Sequence, residues 1–283
     1  MNSEPQRKVT FRTVEVSDPR WERDGLRHVT VKSPALKQRV DLSVFVCPGA
    51  ESQSHVPLVI LMHGVYGSHW AWALKGGVHQ TAARLVREGK IPPMVLAMPS
   101  DGLWGDGSGY MPHLSQDFER WIVDEVPVAA GHAAACLSAQ SPVFIAGLSM
   151  GGFGALRLAG KYPERFCGAS AHSAATHFEQ LLQATEESRE QFHVAAADQS
   201  VLESLVENRG KLPPFRFDCG TEDWLIEPNR DLHAALLAAG VEHGYVENPG
   251  AHDWPYWEKH IEDTLVFFAD VLRGVRAKGC GPH

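Results

Sequence analysis

The segment Gly147-Leu148-Ser149-Met150-Gly151 places a serine between two glycines in the pattern G-x-S-x-G. The spacing has a steric reason. A serine held in a sharp, strained turn between a strand and a helix needs neighbours without side chains at positions −2 and +2, and the turn then lifts its hydroxyl clear of the sheet. The stretch before it, Val143 to Ala146, reads as a strand, and the stretch after it, Gly152 to Tyr162, reads as a helix. A dinucleotide-binding turn does not explain the serine, and no G-x-G-x-x-G occurs here. A serine hydroxyl becomes a useful nucleophile when an imidazole removes its proton, and that imidazole needs a carboxylate to set its tautomer.

With a nucleophile on a strand-to-helix turn, the acid and then the base follow later in the chain, each in a loop after a strand. His252, in Asn248-Pro249-Gly250-Ala251-His252-Asp253-Trp254, follows a short strand and a turn. It is chosen over His260, inside a helix, and over His243, which precedes its strand. Asp223 lies just past the strand Phe215-Arg216-Phe217-Asp218-Cys219, with Glu222 as its nearest competitor and Asp218 within the strand itself. Asp253 is expected to cap the following helix. An oxyanion formed at the serine needs preorganised donors. The backbone N–H of Met150 supplies one, and that of Val65, in His63-Gly64-Val65-Tyr66-Gly67, supplies the other, with Tyr66 as the alternative. His63 then shapes the loop.

The elements that must hold these residues follow from periodicity. Residues 10–16, 28–32 and 38–46 alternate, as half-buried antiparallel strands do. After Pro57 the apolar runs are continuous, at 58–62, 94–98 and 143–146, as in central parallel strands covered on both faces. Helical stretches at 80–88 and 118–137 separate them, further short strands are expected at 166–171, 215–219 and 245–247, and an amphipathic helix at 257–272 closes the chain. The reading is an α/β fold: a mostly parallel central sheet flanked by helices, with antiparallel N-terminal strands. The chain reads as one domain over 1–283, with residues 172–213 as a small helical cap or, alternatively, a long crossover.

Composition narrows the partners. The 283 residues are 44% hydrophobic and 21% charged, with 26 basic and 34 acidic side chains giving a net charge of −8. Without a basic block, nucleic acid is not expected as a partner. No apolar run approaches the ~20 residues of a membrane span. The amino terminus carries no apolar leader, and the five cysteines form no C-x-x-C pair. A reduced, cytoplasmic setting is expected, a processed secreted form being left open. The 15 histidines show no metal-ligand spacing, so no metal or cofactor is expected. Of the aromatics, Trp70, Trp72, Trp104, Tyr110, Trp224 and Trp254 follow strands at the edge that carries the serine, and Trp70 and Trp104 are the first candidates for substrate contact. The glycine-rich segment 101–109 lacks calcium-loop spacing and is expected to be a flexible rim loop.

The sequence resembles the putative-esterase family of α/β-hydrolases, which includes esterase D and S-formylglutathione hydrolases, tributyrin-type esterases, feruloyl esterases and mycolyltransferases. The resemblance covers about residues 38–272. It is carried by Leu61-Met62-His63-Gly64, by Ala146 through Gly154, by Gly220-Thr221-Glu222-Asp223, and by Gly250-Ala251-His252-Asp253-Trp254. It implies a triad on Ser149, Asp223 and His252, and metal-free hydrolysis of an ester or thioester. The leading expectation is a serine esterase for small or medium acyl groups, including aryl or sugar esters. The alternatives are a thioesterase like S-formylglutathione hydrolase, an acyltransferase and, more remotely, a hydrolase fold used only for binding. The expected partner is a small-molecule ester; self-association is left open.

Overall fold

The continuous apolar runs form the middle of a nine-stranded sheet in the computed structural model, which describes residues 9–193, 195 and 198–277. The strands are β1 (Val14–Val16), β2 (Leu26–Lys32), β3 (Arg39–Val46), β4 (Leu58–Met62), β5 (Val95–Pro99), β6 (Val143–Leu148), β7 (Gly168–His172), β8 (Phe215–Gly220) and β9 (Gly244–Asn248). Their order is β1-β2-β3-β5-β4-β6-β7-β8-β9. Strands β1 to β3 pair antiparallel, as does β3 with β5, and every pairing from β5 through β9 is parallel.

The helices are α1 (Ala71–Leu74), α2 (Val78–Arg87), α3 (Phe118–Arg120), α4 (Val126–Gly131), α5 (Met150–Lys161), α6 (Phe178–Ala184), α7 (Val201–Glu207), α8 (Ile226–Ala238) and α9 (Trp254–Ala277). Side chains alternate across a strand, so each central strand feeds two cores. Leu58, Ile60 and Met62 of β4 join one, with α5 residues such as Phe153 and Leu156. Val59 and Leu61 join the other, with Leu85 of α2 and Ile261, Leu265 and Phe268 of α9. Covering both faces explains why the β4 run is apolar without alternation.

Two expected elements differ in extent. The strand expected at 10–16 is ladder-paired only over Val14–Val16. The helix expected over 118–137 ends at Gly131 and contains a π-helical turn, Trp121–Glu125, between α3 and α4. Pro127 has no N–H to give the carbonyl four residues back, that of Val123. The Arg165 guanidinium donates to that carbonyl instead, at 2.8 Å.

The stretch 172–213 carries α6, a short 3₁₀ turn (Arg189–Gln191) and α7, and it buries Phe178, Leu181, Phe192, Val201 and Leu205 in the same core as α5. Cys47, Cys136 and Cys219 are buried free thiols, and burial pushes the Cys47 thiol up to about 11. Among the described residues, no helix is long and apolar enough to cross a membrane.

Candidate active site

Ser149 ends β6 and begins α5 with φ 54° and ψ −117°, a left-handed conformation that is strained for any residue with a Cβ. The flanking glycines permit it. A Cβ on Gly147 would stand 2.3 Å from the backbone of Gly151, and one on Gly151 would stand 2.3 Å from the Met62 carbonyl oxygen. The Ser149 N–H donates to the His172 carbonyl at the end of β7, 2.9 Å away. The serine is thereby locked at the carboxyl edge of the parallel strands, the edge where open α/β sheets bind ligands.

Three side chains from three loops meet there. His252 Nε2 lies 3.0 Å from Ser149 Oγ. On the other side of the ring, Nδ1 lies 3.0 and 2.9 Å from the two carboxylate oxygens of Asp223. The approach of the β8 and β9 loops depends on glycine: a Cβ on Gly220 would stand 2.2 Å from the Gly250 carbonyl oxygen. Burial pushes the Asp223 carboxyl up, but the hydrogen bond and charge of His252, the Leu225 N–H and the Ser173 hydroxyl outweigh it and bring it below its ordinary value. The Leu225 N–H bond to Asp223 is 2.8 Å long.

The alternatives lie elsewhere. Glu222 is exposed, with its N–H on the Gly250 carbonyl. Asp218 is fully buried and bonded to His172 and Tyr256. His260 pairs with Asp263 on α9, and His243 stacks on Phe215 and Phe217. Asp253 accepts from the Tyr256 N–H at 3.1 Å, capping the first turn of α9.

At the loop after β4, the Tyr66 N–H is committed to the Asp106 carbonyl at 2.8 Å. Among the described residues the N–H groups of Val65 and Met150 have no acceptor. His63 is buried, its Nδ1 2.7 Å from the Gly64 carbonyl and its Nε2 3.7 Å from Asp101 Oδ1.

The segment 101–109, expected to be a flexible rim loop, makes several contacts with its surroundings. Asp101 is buried and accepts from the Ser108 N–H at 3.0 Å. Gly109 donates to Met150 Sδ at 3.3 Å, and a Cβ on Gly107 would stand 2.6 Å from Met150 Sδ and 3.2 Å from Val65. Gly107 thus allows the backbone to approach Met150, the residue after the serine.

The aromatics divide by exposure. Trp72 is buried, with its indole donating to the Met62 carbonyl at 3.0 Å, and Tyr110 is buried with its hydroxyl on the His63 carbonyl. Both are core residues and cannot be a platform. Trp104, expected to meet substrate, is wedged against His113, Phe118 and Phe192 with ring centroids 4.3, 6.1 and 5.7 Å away. Its rings serve packing of the loop. Trp254 is half-buried against Trp72 and Trp257. Trp70 is 40% exposed and Trp224 is 56% exposed. Trp224 lies with its ring 5.4 Å from that of His252. Trp224 is one of the six aromatics expected at this edge, after Trp70 and Trp104, and it directly follows Asp223 in the chain. Among the described residues, no group of three or more His, Cys, Asp or Glu side chains is arranged to hold a metal ion.

Comparison with known proteins bears on this site. The model of the family described as putative esterase matches residues 33–268. An acetyl esterase from Caldicellulosiruptor saccharolyticus is 26% identical over 230 residues, covering 75% of this chain and 82% of that protein. The structure of a ferulic acid esterase superposes with a TM-score of 0.74 at 23% identity, covering 93% of this chain and 99% of the other. An S-formylglutathione hydrolase from Agrobacterium tumefaciens gives a TM-score of 0.71 at 22% identity, over 93% and 100% of the two chains.

Proposed function

The chain belongs to the putative-esterase family, and from that premise we propose that it is a serine carboxylic-ester hydrolase working through an acyl-enzyme on Ser149. The observation that carries the reading is the unbroken line from Ser149 Oγ through His252 to Asp223, at 3.0 and 2.9 Å, at the carboxyl edge of the sheet.

Ser149 Oγ attacks the acyl carbonyl carbon as His252 Nε2 takes its proton, and Asp223 holds the ring's tautomer and stabilises the imidazolium. The carbonyl oxygen becomes an oxyanion between the uncommitted N–H groups of Val65 and Met150, which point charge stabilisation at that atom without reorganising. On collapse the C–O bond to the alcohol breaks, and the alkoxide leaves with the proton held by His252. Water, deprotonated by the same ring, then attacks the acyl-enzyme, and Ser149 regains its proton as the acid departs.

The likeness to an acetyl esterase supports small acyl groups. Because His252 delivers its proton to the leaving alcohol, that alcohol sits beside the imidazole, and the exposed Trp224 ring there suits a flat or apolar group. The test is a series of p-nitrophenyl esters from acetyl upward, with a feruloyl ester, an acetylated sugar and S-formylglutathione beside it. Short-chain oxoesters are expected to give the highest kcat/KM, and Ser149→Ala is expected to lose more than ~1000-fold in kcat while staying folded. A preference above roughly a hundredfold for the thioester moves the assignment to thioester hydrolysis, and a folded, active Ser149→Ala overturns the mechanism.

A further inference from the structure

We propose that Glu187, in the segment between α6 and α7, is a positioning residue for the Val65 oxyanion donor; the proposal rests on the reading of Val65 and Met150 as the oxyanion site. Tyr66, the next residue, has φ 60°, a conformation that a residue with a side chain leaves unless it is held. It is held twice from above. Its N–H donates to the Asp106 carbonyl at 2.8 Å, and its hydroxyl donates to the Ala184 carbonyl at 2.7 Å.

Asp106 has no strand or helix to fix it. It lies in a loop whose Leu103 and Gly105 both have positive φ, and its anchors come from the segment after α6. Its N–H donates to Glu187 Oε1 at 2.8 Å, and its carboxylate accepts from the Glu186 N–H at 2.9 Å. Glu187 Oε2 is shut from solvent with no partner among the described residues. A glutamate not pinned by its other oxygen escapes such a position by swinging into water. The chain of contacts therefore runs from Glu187 to the Asp106 peptide, to the Tyr66 N–H, and to the turn that presents Val65. The same 101–109 loop reaches the second donor as well, through the Gly109 N–H on Met150 Sδ.

An oxyanion donor acts only where the oxygen forms, and losing one outright costs about 10²–10³ in kcat. Loosening the turn is expected to cost less: Glu187→Ala lowers kcat for p-nitrophenyl acetate about tenfold with KM changed less than about twofold, since the ground-state carbonyl depends little on the donor. Glu187→Gln keeps an acceptor oxygen at the same reach and is expected to recover kcat to within about threefold of the parent. Glu187→Asp keeps the charge but falls one methylene short, so it is expected to behave like Glu187→Ala, and it carries the test if the alanine variant fails to fold. Ser149→Ala is assayed beside them. The proposal is overturned if Glu187→Ala and Glu187→Asp keep the parent kcat, if their loss lies in KM, or if Glu187→Gln falls as far as they do, each with Ser149→Ala inactive. An active Ser149→Ala instead removes the reading beneath it, and the proposal with it.

Discussion

Two histidine–aspartate pairs stand at the same edge of the sheet, and their first contacts are nearly alike. His172 Nδ1 is 3.0 Å from Asp218, and His252 Nδ1 is 2.9 Å from Asp223. The first pair is formed by cross-strand neighbours of β7 and β8, and both side chains are fully buried. Its other ring nitrogen meets the Thr264 hydroxyl at 2.9 Å, inside the protein. The second pair comes from the loops after β8 and β9, its imidazole is partly exposed, and its other ring nitrogen meets the strained Ser149. The pair alone is therefore not what makes a candidate base. What separates the two is the third group and the partial exposure of the outer ring.

Burial decides what the inner pair does. It pushes the Asp218 carboxyl up, yet His172, the Arg216 guanidinium 3.1 Å away and the Tyr256 hydroxyl outweigh it and hold the group below its ordinary value. Tyr256 also packs against Gly250, where a Cβ would stand 2.6 Å from its ring. The inner network thus braces the loop that carries His252.

The largest effect expected from breaking the comparison is on chemistry at the outer pair. His252→Ala should lose at least about 10⁴-fold in kcat with little change in melting temperature, because it removes the proposed proton acceptor, whose ring is partly exposed. At the inner pair the expectation reverses. Asp218→Asn leaves Arg216 without its anionic partner and should lose about 3 kcal/mol in denaturant unfolding, with kcat of the folded fraction within about tenfold of the parent. A stable but inactive Asp218→Asn would show that the two pairs are not separate in function.

A smaller effect sharpens the same contrast through pH. Asp218 and Asp223 both have carboxyls depressed below 3.8 in the folded protein. For a depressed carboxyl, the stabilisation is fully present above the unfolded value and is lost as pH falls through the folded one. Melting temperature should fall on going from about pH 5 to about pH 3, and less steeply in Asp218→Asn, which has given up that contribution at every pH. An unchanged slope in that variant places the acid sensitivity elsewhere.

Much of the candidate site was legible in the sequence, because its constraints are local. G-x-S-x-G is a steric requirement of a turn, and Asp223 and His252 each follow a strand at a short, fixed remove. The central strands were equally plain, their runs being apolar on both faces. What stayed hidden depends on partners far along the chain. Trp104 and Trp224 both follow strands, and only the packing of His113 and Phe192 on one of them distinguishes the two. The glycines of 101–109 read as freedom, and the close packing of Gly107 on Met150 was not visible in the sequence. The break in the helix after Phe118 turns on Pro127, whose effect is absorbed by an arginine nearly forty residues later. His172 and Asp218 gave no sign of pairing, since register alone brings them together.

The central claim is that Ser149, activated by the outer pair, is the nucleophile. A fluorophosphonate probe followed by peptide mass spectrometry tests it most directly. The adduct is expected on the peptide carrying Ser149, lost in Ser149→Ala and strongly slowed in His252→Ala. An adduct on a different serine, or undiminished labelling of folded Ser149→Ala, would contradict the account.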